Sequence, residues 1–119
     1  MRLAVEPDSA SMARTAIRDE LPEGLPPPVV ADAELLTSEL VSNSVRHAGL
    51  RPGDTLDLGV QLRPELLRVG VLDDGPGFEK GVVSRDKLGG WGLILVEALS
   101  ARWGVNRGDR TEVWFEIDL

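Results

Sequence analysis

The sequence has 119 residues, of which 42% are hydrophobic and 28% charged, and its formal net charge is −7. These values are typical of one soluble globular domain, here spanning residues 1–119. The negative charge argues against a nucleic-acid partner, because non-specific affinity for phosphate backbones comes from lysine and arginine. The absence of cysteine excludes disulfides and thiolate chemistry. We find neither a signal-peptide core nor an apolar run long enough to span a membrane, so we expect a cytoplasmic protein.

The first part of the chain is predicted to contain one short strand and two helices. The strand covers residues 3–5, and a helix over 8–21 follows, where apolar residues recur at helical spacing after several candidate N-caps. The proline-rich stretch 23–28 cannot continue this helix and is predicted to be a turn or linker. A second helix is predicted over about 31–48, with Gly49 at its end.

The middle of the chain is predicted to be a β-hairpin. Apolar and polar residues alternate strictly over 55–63. After a turn at residues 64–65 the alternation continues to about residue 72. This period of two is typical of half-buried strands.

The last part is predicted to contain one helix and one strand. The helix opens at the glycines of 89–92 and ends near Arg102, while Gly104 and Gly108 mark turns. Residues 112–119 alternate again and form the final strand.

Alternating strands predict a sheet with one face exposed to water, so all three helices are expected on the other face. The fold class is therefore an α+β two-layer sandwich with a mixed, mostly antiparallel sheet.

The second predicted helix carries three polar residues on one face. Glu39, Asn43 and His47 recur every four residues and project from the same side of a helix. A carboxylate, an amide and an imidazole are unfavourable to bury without partners. Alone, this pattern is more typical of a solvated face than of a site.

A glycine-rich segment follows the hairpin. Asp73, Gly75 and Gly77 form a D-x-G-x-G pattern. The glycines let the backbone turn sharply and approach a ligand closely, and the carboxylate can accept a hydrogen bond from a ligand amine. Such a charge-assisted bond changes affinity by about ten- to a hundredfold. The same residues also suit an ordinary turn.

A second glycine cluster precedes the third predicted helix. The amides of Gly89, Gly90 and Gly92 would lie at the positive end of that helix, which favours phosphate. The P-loop pattern and the dinucleotide-binding fingerprint are both absent from the sequence. Between the two clusters, residues 79–88 have no apolar period and are predicted to be a mobile connection.

The order of these segments resembles the GHKL (Bergerat) ATP-binding fold, the family of gyrase, Hsp90, histidine kinases and the mismatch-repair ATPase. Residues 34–48 are similar to the N box of that family, residues 73–77 to its G1 box and residues 90–93 to its G2 box. The resemblance covers essentially the whole chain. It is greatest to the histidine-kinase-like domain of bacterial anti-sigma-factor serine kinases, especially the short actinobacterial type.

The resemblance implies a site for ATP and Mg²⁺. Asn43 would coordinate Mg²⁺ through its amide oxygen, Glu39 would be the catalytic base that takes a proton from the attacking hydroxyl, and Asp73 would bind the adenine amine. The other implied nucleotide contacts are Gly75 and Gly77 at the adenine wall, and Gly90, Gly92, Leu93 and Thr111 in the phosphate region.

The resemblance also implies a function and leaves alternatives open. The implied activity is transfer of the γ-phosphoryl group to a Ser or Thr of a STAS-type anti-anti-sigma partner, with sequestration of a sigma factor, and the family allows a homodimer. Glu39 separates the chain from sensor histidine kinases, which commonly have Asn there. His47 lies at the end of the N-box helix and is expected to have a structural or helix-dipole role rather than to accept a phosphoryl group. Trp91, where short family members often have Arg, favours the alternative of a binding module without catalysis. A second alternative is an unrelated interaction domain whose glycines only form turns.

Overall fold

One sheet and one layer of helices form the fold in the computed structural model, which describes residues 1–47, 49–73 and 92–119. In chain order the elements are β1 (Arg2–Ala4), α1 (Ser9–Glu20), α2 (Pro27–His47), β2 (Thr55–Arg63), β3 (Leu66–Asp73), α3 (Gly92–Leu99), β4 (Arg102–Arg107) and β5 (Thr111–Asp118). The described strands pair antiparallel in the order β1-β2-β3-β5-β4. This confirms the predicted fold class, with a sheet that is antiparallel throughout its described strands.

The core lies between the sheet and the three helices. Alternate residues of the strands point into it, and the helices contribute apolar side chains from their inner faces. Phe115 and Val69 of the sheet are fully buried there, as are Ile17 of α1, Leu36 of α2 and Val96 of α3. No helix within the described ranges is long and apolar enough to cross a membrane.

Helix α2 begins earlier than predicted. It starts at Pro27, whereas the sequence placed its first residue near 31 and treated 23–28 as a break. Proline fits the first turn of a helix because the amide that it lacks has no intrahelical partner there. The helix is already hydrogen-bonded at Val29 and Val30, whose amides both donate to the carbonyl of Pro26.

Strand β4 was not predicted, and the prediction of a helix reaching Arg102 was wrong. Helix α3 ends at Leu99, and the chain then runs straight into β4. Gly104 is not a turn residue but lies in β4 opposite Trp114 of β5. A Cβ at Gly104 would stand 2.8 Å from Cζ2 of Trp114, so the glycine is required by close packing.

The face of the sheet away from the helices carries charged side chains that pair with one another. The guanidinium of Arg68 lies 4.3 Å from the centre of the Trp114 ring and pairs with Glu112 at 3.0 Å and with Glu116 at 3.4 Å. Trp103, in contrast, is buried on the helix side. The predicted solvated face is therefore present and is covered with ion pairs.

Candidate functional site

Helix α2 places Glu39 and Asn43 one turn apart. Asn43 is only 1% exposed, and its Nδ2 donates to the backbone carbonyl of Glu39 at 2.8 Å. Its Oδ1 is buried and has no hydrogen-bond partner in the described part of the chain. Because an unpaired buried amide oxygen is unfavourable, this atom points to a ligand. Glu39 itself is half-buried, so its carboxylate remains within reach of an incoming group.

The rigidity of this pair comes from the packing of α2. Thr37, Leu40 and Val41 of α2 are buried, and the helix packs against α1, α3 and the central strands β3 and β5. Helix α2 therefore forms the middle of the helical layer, so its polar residues are fixed by the core.

The ends of β3 and β5 bring Asp73 and Thr111 together. The two residues are directly opposite each other in the β3–β5 pair, and both are buried, at 1% and 3% exposure. Opposed residues in an antiparallel pair have Cβ atoms about 4.5–5.5 Å apart. The sequence placed Thr111 in a phosphate region, whereas the sheet register places it beside the predicted adenine-binding carboxylate.

Helix α3 begins at Gly92, as the sequence predicted for the helix after the second glycine cluster. Its position is fixed at the other end, where Trp103 Nε1 donates to the carboxylate of Glu97 and Ser100 Oγ donates to the carbonyl of Val96 at 2.5 Å. The start of a helix is an electropositive end suited to phosphate.

Several predicted residues fall outside the part of the chain that the structure describes. These are Gly75, Gly77, Gly89, Gly90, Trp91 and the connection 79–88, and also the side chains of His47 and Leu93.

Sequence reasoning missed one group of residues at this end of the sheet. The guanidinium of Arg110 donates through Nη1 to Oδ2 of Asp57 and through Nη2 to the carbonyl of Leu72 at 3.3 Å. The hydrogen bond from Arg110 to Asp57, and to a smaller extent that from Arg2, lower the pKa of Asp57 below its usual range. The alternation of β2 predicted that Asp57 faces solvent, but no local pattern indicates its partner on the distant β4–β5 connection.

The donor set fits Mg²⁺ bound together with a nucleotide. Within the described ranges no group of three or more His, Asp or Glu residues could hold a metal ion. Magnesium in phosphate sites keeps several waters and takes one or two protein oxygens besides the substrate phosphates. The unpaired Oδ1 of Asn43 is a neutral oxygen ligand of that kind.

The chain is similar to a known protein family and to several solved structures. The family model described as histidine kinase-like ATPase domain matches residues 3–117. The comparison with curated proteins gives no significant match.

Similar solved structures contain this fold as one part of longer chains. The RsbU and RsbW domains of Rv1364c from Mycobacterium tuberculosis match with a TM-score of 0.65 and 22% identity, over 98% of this chain and 31% of that one. The blue-light activated histidine kinase EL346 of Erythrobacter litoralis matches with a TM-score of 0.62 and 27% identity, over 92% and 40% of the two chains. The histidine kinase AdeS of Acinetobacter baumannii matches with a TM-score of 0.54 and 20% identity, over 75% and 46%. The present chain thus spans less than half the length of each.

Proposed function

Because the chain belongs to the histidine kinase-like ATPase domain family, we propose that it binds Mg·ATP between α2, the paired ends of β3 and β5, and the start of α3. The observation that carries the proposal is the buried Oδ1 of Asn43, which has no partner in the described part of the chain. An oxygen of this kind is stabilised when a cation takes up its lone pair. Bound Mg²⁺ would neutralise charge on the β- and γ-phosphates.

The base-binding end of the proposed site is formed by Asp73 and Thr111. A buried carboxylate can accept a hydrogen bond from the exocyclic amine of adenine, and the neighbouring hydroxyl of Thr111 can both donate and accept. We therefore assign Thr111 to the adenine end, together with Asp73. Gly92 and Leu93, at the first turn of α3, are assigned to the phosphates.

The proposed reaction is transfer of the γ-phosphoryl group to a Ser or Thr of a STAS-type anti-anti-sigma protein. The acceptor oxygen forms a bond to the γ-phosphorus, the bond from that phosphorus to the bridging oxygen of ADP breaks, and Glu39 takes the hydroxyl proton. Phosphoryl transfer depends on positioning and on neutralisation of charge more than on covalent help from the protein. Glu39 suits the role of base because it is half-buried and lies one helical turn from Asn43. In this proposal the protein sequesters a sigma factor when its partner is phosphorylated.

Calorimetric titration of Mg·ATP tests the nucleotide site. We expect micromolar-range binding by the wild type and a loss of about ten- to a hundredfold in affinity in Asp73→Asn, because the adenine amine loses a charged acceptor. Asp118→Asn is the matched control, since Asp118 is a 63% exposed carboxylate at the far end of β5. No binding by a folded wild-type protein would refute the proposed function.

Glu39→Gln separates catalysis from binding. We expect this variant to bind Mg·ATP like the wild type but to lose transfer of labelled phosphate from ATP to a STAS-type protein of the same genome. Transfer at the wild-type rate would show that Glu39 is not the base. If instead neither protein transfers phosphate and both regulate the partner equally in cells, the chain acts as a binding module without catalysis.

A further inference from the structure

The contacts of Arg110 and of its partner Asp57 link three strands, β1, β2 and β3, to the β4–β5 connection at the end of the sheet where Asp73 and Thr111 lie. One arm of the guanidinium reaches the carbonyl of Leu72 and the other reaches the carboxylate of Asp57. The second oxygen of that carboxylate accepts a hydrogen bond from Arg2 of β1 at 3.2 Å. We call these three contacts the Arg110 clamp.

The clamp acts on the backbone next to both residues of the proposed adenine end. Arg110 directly precedes Thr111, and Leu72, whose carbonyl it binds, directly precedes Asp73. Because Thr111 and Asp73 are paired, the hydrogen bond from Arg110 to Leu72 connects the two chain segments that lead into them. The clamp lies on the solvated face of the sheet, while Asp73 and Thr111 are buried on the other face.

A clamp has a specific use at this position because the described β3 ends at Asp73 and β5 begins at Thr111. The last paired residue of a strand has a paired neighbour on only one side in the sequence. A side chain that bridges the strands therefore restricts such a residue more than one in the middle of a strand. The guanidinium is suited to this work because its rigid, planar donors reach two acceptors in fixed directions. Arg110 and Asp57 are 32% and 25% exposed, so the ion pair itself contributes little to global stability.

We propose that Arg110 is a positioning residue for adenine recognition, holding Asp73 where its carboxylate meets the exocyclic amine of adenine. This inference rests on the proposed function. A hydrogen bond weakens steeply as its length and angle leave a narrow range. A small displacement of the strand end therefore reduces the discrimination between adenine and guanine. GTP has a carbonyl where ATP has that amine. Loosening the clamp therefore weakens ATP binding more than GTP binding.

The test compares the affinities of Mg·ATP and Mg·GTP by calorimetry in wild type and Arg110→Gln. We expect ATP affinity to fall about five- to tenfold while GTP affinity changes less than about twofold, so the preference for ATP decreases. Asp57→Asn should act in the same direction, and Arg110→Lys should recover part of the preference. The matched control is Arg102→Gln, which removes ion pairs to Glu116 and Asp118 at the far end of β5 and should leave both affinities unchanged.

Urea unfolding of each variant accompanies the titrations and shows the folded fraction at the assay temperature. Equal losses of ATP and GTP affinity in Arg110→Gln and Asp57→Asn would indicate a merely structural role and would overturn the inference. An unchanged preference for ATP in both variants would also overturn it. These outcomes differ from failure of the proposed function, in which the folded wild type binds neither nucleotide.

Discussion

Replacing Asn43 with Leu should make the protein more stable without nucleotide and less stable with it. Leucine has the branching of asparagine but no polar atoms. The substitution removes a buried oxygen without a partner in the described part of the chain, which should stabilise the protein by about 1–3 kcal/mol. It also removes the hydrogen bond from Nδ2 to the carbonyl of Glu39, which should destabilise the protein by about 0.5–1.5 kcal/mol. The net expectation is a gain of about 1 kcal/mol in the free energy of unfolding. The variant should not bind Mg·ATP measurably, because it lacks the metal ligand.

The assay is urea unfolding with and without Mg·ATP. At a ligand concentration of one hundred times Kd, the wild type gains about 2.7 kcal/mol, so the order of stability of the two proteins should invert on adding nucleotide. Thr37→Val is the control, since it removes another fully buried oxygen without a partner in the described ranges. It should stabilise the protein by the same amount with and without Mg·ATP. If Asn43→Leu is destabilised by more than about 1 kcal/mol without nucleotide, or keeps the wild-type response to ATP, the reasoning is refuted.

Two further predictions concern the solvated face of the sheet. Gly104→Ala should lower the free energy of unfolding by about 1–3 kcal/mol, because the added Cβ meets Trp114 at 2.8 Å. The control Gly59→Ala, whose added Cβ has no atom within 4 Å, should be neutral or stabilising by up to about 1 kcal/mol. Equal urea midpoints for the two variants would contradict this prediction. The pKa of Glu116 is lowered from its ordinary value of 4.5, chiefly by its hydrogen bond from Arg102. The stability that Glu116 contributes is therefore present above about pH 4.5 and is lost as the pH falls through its lower folded-state pKa. Acid titration of stability should show a shallower decline below pH 4.5 in Arg102→Gln, and an identical decline would exclude this pair as a cause.

The sequence predicted those elements whose signals are local. The alternation over 55–63 matches β2 residue for residue, and the last strand is shifted by only one residue, to Thr111–Asp118. Strand β4 was missed because Gly104 interrupts a short apolar alternation and has the appearance of a turn. Its strand conformation depends on pairing with β5 across the short connection 108–110, and the residues of β4 taken alone do not indicate that pairing.

The same distinction applies to the candidate site. The shared face of Glu39 and Asn43 follows from the helical period alone, and the structure places them one turn apart as expected. That Thr111 stands beside Asp73, and that Arg110 reaches Leu72, depends on β5 lying between β3 and β4. Strand order is decided by the packing of the whole sheet. Sequence reasoning could therefore propose Thr111 as a nucleotide contact but could not predict that Asp73 lies beside it.

Helix α2 carries three buried side-chain oxygens without partners in the described part of the chain, on Thr37, Asn43 and Ser44, and only one of them is well placed for a ligand. At 3.6 residues per turn, Thr37 and Ser44 point about 100–120° away from Asn43 and within about 20° of each other. Of the three, only Asn43 projects in nearly the same direction as Glu39. That is the side from which the acceptor hydroxyl would approach the proposed base. If all three oxygens were tolerated defects, removing any of them would stabilise the protein equally with and without Mg·ATP. If Asn43 is kept for the ligand, only its removal changes the response to nucleotide, and the comparison of Asn43→Leu with Thr37→Val decides between these explanations.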